Sequence, residues 1–136
     1  VTLGGMLPLF FISFAYGPEV GMLAGFAYSL MNLVMAPYIL HPVQVLFDYP
    51  LPFMALGLAG CFPRHHMAGI TAAVAVRLFF HFLSGVVFFG SYAPAGTSIY
   101  LYSFVTNLTY LLPNLVICLV FYRLLPVERF LSLMKR

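Results

Sequence analysis

Long apolar blocks, separated by short proline- and glycine-bearing breaks, make up almost the whole chain. The first block runs from Leu3 to Tyr16 and stops at Gly17-Pro18-Glu19, where Pro18 suits the start of a new helix. A second block runs from Glu19 to Met35. The stretch from Ala36-Pro37-Tyr38 to His41-Pro42 then forms a connection. The third block, Val43 to Phe62, carries Pro50 and Pro52, which predict a kink or a local opening. Pro63, Arg64, His65 and His66 close it. The fourth block spans Met67 to Gly90, and Ser91 to Ser98 is a loop with Pro94 and Gly96. The fifth runs from Ile99 to Leu125 around Pro113, and Pro126 separates it from a charged tail, Val127 to Arg136. The blocks are long and lack sustained alternation of polar and apolar residues, so the pattern predicts helices and not strands.

Composition turns those helices into membrane helices. Of 136 residues, 63% are hydrophobic and 7% charged, whereas a soluble domain carries about 25% charged residues. One core of this size cannot hide that much apolar surface, so lipid must solvate part of it. A spanning helix needs about 20 mostly apolar residues. The expectation is an all-α integral membrane bundle of about five transmembrane helices, with residues 1–136 forming a single membrane-embedded unit. Leu3 to Tyr16 is short for a full span. No signal peptide is visible, and the missing initiator Met predicts that the chain begins partway into a longer protein.

The net charge is +3, but its distribution is more telling. Arg64 lies in one short loop, and Arg123, Arg129, Lys135 and Arg136 gather at the C-terminus. Basic residues beside short loops mark the cytoplasmic side. Two apolar blocks separate the clusters, so both can face the cytoplasm, with a cytoplasmic C-terminus and with Tyr38 to His41 and Ser91 to Ser98 outside. There is no basic stripe for nucleic acid. Cys61 and Cys118 lack metal or disulfide-framework spacing and read as small packing residues.

The remaining polar residues inside the blocks carry the functional signal. Asp48 lies within the third span, where a carboxylate costs about 2.5–3.5 kcal/mol even on lenient scales. Two readings are open: a structural ion pair with Arg77, or a counter-charge facing a cationic ligand. Arg77, His81 and Gly85 recur every four residues and share one helix face, flanked by Ser84 and Phe88. Gly85 removes bulk where something flat could approach. Asn107, Tyr110 and Asn114 make a second polar stripe, with Tyr102 before it. Such amides either glue helices together or contact a ligand. Asn114, next to Pro113, is read as satisfying freed backbone groups. Among 15 Phe, 9 Tyr and no Trp, most span-end tyrosines fit an interfacial belt. Tyr28, Tyr49, Phe89 and Tyr102 are candidates for a stacking pocket. Gly21 and Gly25 form a small-xxx-small pair for close helix packing. A P-loop is absent, so the chain itself does not use ATP. No protease-type motif is present, and only His81 lies well inside a span.

The segments Gln44-Val45-Leu46-Phe47-Asp48-Tyr49, Arg77 through Gly85, Tyr92-Ala93, and Tyr102-Ser103 with Asn107 resemble, in order, the thiamine-specific S-component of energy-coupling factor (ECF) transporters. The resemblance covers nearly the whole chain and implies a six-helix fold whose first helix is missing from this sequence. It implies a transport subunit, not an enzyme, that takes thiamine from outside the cell and needs no cofactor. Its partners would be a transmembrane coupling subunit and two ATPase subunits. Carried over residue by residue, the pocket falls on Asp48, Tyr49, His81, Tyr102 and Asn107, with Arg77, Gly85, Phe89, Tyr38 and Tyr28 around it. This sequence departs from the family where Asp48 replaces a frequent Glu and Phe89 stands where Trp can occur. The chemistry agrees: a thiazolium cation suits a carboxylate and aromatic faces, and an aminopyrimidine suits the donors and acceptors of His81, Asn107 and Tyr102. The competing readings are an S-component for another vitamin, such as riboflavin, and a haem- or quinone-binding subunit of a membrane oxidoreductase.

Overall fold

A computed structural model describes residues 6–35 and 41–134. Tyr38, Lys135 and Arg136 lie outside them. The described residues are helical without strands, in the order α1 (Leu7–Tyr16), α2 (Pro18–Met35), α3 (Pro42–Asp48), α4 (Pro50–Ala55), α5 (His66–Phe88), α6 (Ile99–Leu124) and α7 (Val127–Met134). The chain is thus an all-α membrane bundle. Three apolar stretches are long enough to cross a bilayer: Pro42–Cys61, His66–Phe88 and Ile99–Leu124. The five expected spans therefore divide. At 18 residues α2 has the length, but Glu19 and Asn32 dilute its apolarity, and α1 has only 10 residues.

Local chemistry sets the breaks. Gly17 takes φ 98°, a backbone region that favours glycine, and Pro18 then opens α2. Glu19 occupies the first turn of α2, where a carboxylate suits the positive end of the helix dipole. His41 caps α3 by accepting the Val43 backbone N–H on Nδ1 at 3.1 Å. Pro50 disfavours a continuous helix at the residue before it. Tyr49 stays in the right-handed helical region but distorted, at φ −119°, ψ −76°, and α4 restarts at Pro50. A 3-10 segment, Leu56–Cys61, completes the span. Pro113 stays within α6, and the Asn114 side chain donates to the Tyr110 carbonyl at 2.9 Å. That carbonyl is the neighbour of the one the proline leaves without an N–H donor.

Small residues let the helices cross closely. A Cβ on Gly25 would stand 2.2 Å from the Phe53 carbonyl oxygen, and one on Gly57 would stand 2.3 Å from the Met22 backbone nitrogen. At the same crossing Ser13 Oγ donates to the Gly57 carbonyl. Gly21 and Gly25 therefore serve close packing, as their spacing predicts. Phe10, Leu56, Ile70, Leu111 and Cys118 belong to the buried cluster beneath this crossing. Outward apolar residues remain bare, as at Leu23, Val34, Val87 and Leu124, because lipid is their solvent.

The Gly17 turn, the Arg64 loop and the C-terminal segment meet at one end, as the charge pattern requires. Phe14 stacks on His66 at 3.9 Å, and His66 Nδ1 pairs with the Tyr122 hydroxyl at 2.6 Å. The Tyr16 hydroxyl donates to the Met134 carbonyl. The tail, read from sequence only as charged, is a helix. Val127 and Leu131, one turn apart, are buried, and the Phe130 ring lies 6.2 Å from that of Phe11. Its charges mask that two-residue apolar spacing.

The Gly25 crossing is directly testable. Gly25→Ala forces backbone against backbone and is expected to destabilise the protein by about 1–3 kcal/mol. Thermal unfolding in detergent measures it, and an unchanged midpoint would refute the close crossing.

Candidate binding site

Asp48 is the last residue of α3, set at the mouth of the break before Pro50. Its Oδ2 accepts from Gln44 Nε2 at 2.6 Å and from Ser84 Oγ at 2.9 Å, and its Oδ1 pairs with His81 Nδ1 at 3.1 Å. Arg77 Nε lies 3.2 Å from His81 Nε2. A guanidinium N–H only donates, so Nε2 accepts and the ring proton belongs on Nδ1, pointing to Asp48. The direct Asp48–Arg77 ion pair left open by the sequence does not form. His81 stands between the two charges and relays them. Helical spacing explains this: Arg77 and His81 are neighbours one turn apart on α5, and the longer guanidinium turns back over the Phe53 ring, 4.7 Å from its centroid.

Asn107 ties the second polar helix to the first. Its Nδ2 donates to the His81 carbonyl at 3.2 Å and to the Ser103 carbonyl at 2.9 Å. It therefore joins α5 to α6 while lining the site. Ser103 Oγ adds a bond to the Phe82 carbonyl at 2.9 Å.

Two hollows of about 300 Å³ each lie on either side of a partition made by Asp48, His81 and Asn107. The first adds Ser84, Gly85, Phe89, Tyr102, Ser103 and Thr106. The second adds Asn32, Gln44, Tyr49, Phe53, Arg77 and Tyr110. This volume is at the lower end of what small-molecule sites use. Asp48 and His81 keep 20% and 14% of their side chains exposed, so each presents an edge to the hollows. The first hollow combines a carboxylate edge, two aromatic rings and several hydroxyl or amide groups. That set can hold a flat, polar, positively charged molecule.

Asp48, Tyr49, Arg77, His81, Gly85, Phe89, Tyr102 and Asn107 all line one hollow or the other. Tyr28 lines neither: its ring packs edge-on against Phe53, 5.2 Å away, one layer behind the second hollow. Gly85 lines the first hollow and has a second role there. A Cβ on it would stand 2.0 Å from Ser103 Oγ, so the glycine also lets α6 approach α5. Sequence reasoning missed Gln44, Thr106, Asn32 and Phe53. Gln44 was legible, since it precedes Asp48 by one helical turn and amide–carboxylate pairs favour that spacing. Thr106 is adjacent to Asn107 in sequence, but no periodicity marked it.

Gly85→Ala is expected to lower the thermal midpoint by driving α6 away. Ser103→Ala on that background should restore part of it, with a coupling of about 0.5–3 kcal/mol. Additive losses in the double mutant would show that the two residues do not meet.

Three comparisons bear on this geometry. A family model described as Thiamine transporter protein (Thia_YuaJ) matches residues 1–133. The chain is 35% identical over 130 residues to thiamine transporter ThiT of Bacillus subtilis (strain 168), covering 83% of this chain and 68% of that protein. It is 29% identical over 123 residues to ThiT of Lacticaseibacillus paracasei, covering 76% and 61%. A solved structure of ThiT from Listeria monocytogenes superposes with a TM-score of 0.76 at 25% identity, over 94% of this chain and 80% of that one.

Proposed function

The chain belongs to the thiamine transporter protein family, and from that premise we propose that it binds thiamine at the Asp48 partition, as the membrane-embedded S-component of an ECF importer. Two relatives of known name are thiamine transporters, which supports the ligand. A transmembrane coupling subunit and two ATPases supply the work of transport, because this chain carries no nucleotide-binding motif.

The observation that carries the reading is the carboxylate at the cavity wall, which keeps room for one more partner beside those the described residues supply. A carboxylate has about four lone-pair sites, and Asp48 accepts bonds from Gln44, Ser84 and His81. The remaining Oδ1 lone pair meets the thiazolium cation of thiamine. Phe89 and Tyr102 offer ring faces to the thiazolium and pyrimidine. Asn107, its donors held by backbone carbonyls, presents its amide oxygen. The site lies at the end opposite the basic clusters. With those clusters in the cytoplasm, the hollow faces outside and the C-terminus lies inside. Binding requires no chemistry: the pocket recognises the vitamin and releases it unchanged.

Titration of the purified protein with thiamine should quench its tyrosine fluorescence, which is unobscured because the chain has no Trp. Riboflavin should produce no saturable change. Asp48→Asn turns an acceptor into a donor among donors and is expected to weaken thiamine binding roughly 30-fold or more. Undiminished affinity in that variant would remove the carboxylate from the site, and saturable riboflavin binding would reassign the ligand.

A further inference from the structure

Gln44 is fully buried, yet it is among the most polar residues of the third span. Its Nε2 makes the shortest of the three bonds to Asp48, at 2.6 Å. It lines the second hollow and not the first, so Asp48 stands between it and the aromatic hollow of Phe89 and Tyr102. Ser84 approaches the same oxygen, Oδ2, from α5 at 2.9 Å. The two donors come from different helices and hold Oδ2 from both. Among the described residues, Oδ1 has a single protein partner, His81. Asp48 thereby has one anchored oxygen and one working oxygen.

We propose that Gln44 is a positioning residue for ligand selectivity: acting through Asp48, it pins Oδ2 and aims Oδ1 at the aromatic hollow, so the site prefers a cation over its uncharged counterpart. The proposal rests on the thiamine reading and adds to it a residue that does not touch the ligand. Three features of the pair support it. First, Gln44 and Asp48 are one turn apart on the short α3, which ends at the Tyr49 break. The amide therefore moves with the carboxylate as one rigid piece. Second, Asp48 has only one methylene between backbone and carboxylate, so a brace one turn away can define its direction fully. Third, all three protein partners of Asp48 are oriented as donors toward it, once the His81 tautomer follows from Arg77. Each of those donors complements a carboxylate oxygen, so together they fix how the group is turned. Removing Gln44 loosens the direction of Oδ1. A ligand with no positive charge is indifferent to that change.

The test compares thiamine with 3-deazathiamine, in which carbon replaces the cationic nitrogen and the shape is kept. Gln44→Met and Gln44→Leu preserve volume and delete the donor. In the unsubstituted protein thiamine should bind more tightly than the neutral analogue. Each variant is expected to weaken thiamine binding about tenfold, in line with the loss of a hydrogen bond to a charged group. The same variants should leave the affinity for 3-deazathiamine within about twofold, so the selectivity ratio collapses. Equal losses for both ligands would make Gln44 merely structural and overturn the proposal, as would an unchanged ratio. Two variants guard against one failing to fold. Failure of the unsubstituted protein to bind thiamine would instead defeat the thiamine reading itself, a separate outcome.

Discussion

A carboxylate within apolar segments is the constraint around which the rest of this structure is arranged. Water is scarce there, so the donors that satisfy Asp48 must come from the protein. Gln44 supplies one from the same helix, and Ser84 and His81 supply two from α5. Both helices must therefore stand at fixed distance and rotation. The break at Tyr49 places the carboxylate at a helix end, where it can turn into the interior. Arg77 then balances the charge through His81 instead of cancelling it by direct contact. A direct pair would have used the lone pairs that a ligand needs.

Much of this was legible from residue order. Pro50 and Pro52 announced the broken span, Gly17-Pro18 the first turn, and Gly21 with Gly25 a close crossing. The four-residue spacing of Arg77, His81 and Gly85 placed them on one face, and the resemblance marked Asp48, Tyr102 and Asn107. What stayed hidden depends on neighbours distant in sequence. Gly85 was read as making room at the hollow, which it lines, but its close approach to Ser103, 18 positions along, was not visible. Tyr28 was placed in the pocket, but Phe53 lies in front of it. The Arg77–His81–Asp48 order was equally invisible, because both a direct and a relayed pairing satisfy the same spacing. The tail helix was missed because only Val127 and Leu131 define its buried face.

The two ends of the bundle divide the labour. At one end, Phe14, His66, Tyr122 and the α7 backbone lock three connections together with stacked rings and hydrogen bonds. At the other, the helices separate around the two hollows. A bundle tied at one end and open at the other can hold a site that is preorganised at its base and accessible at its mouth. Preorganisation matters because a small ligand loses affinity for every group that must be ordered on arrival.

The position of α6 has a consequence of another kind. This helix supplies Tyr102, Ser103, Thr106 and Asn107 to the hollow, yet only 17% of its apolar window is buried among the described residues. Along the hollow its neighbour is α5, brought close by Gly85 and held by the bonds of Ser103 and Asn107. Among the described residues its other flank is apolar and bare, as at Leu101, Val105, Leu112 and Val116. Where acyl chains cover that flank, one wall of the pocket is backed by a fluid, whose sideways pressure helps set how tightly that wall closes. Lipid packing and bilayer thickness become part of the site's effective stiffness, and a detergent micelle replaces that backing with a softer one.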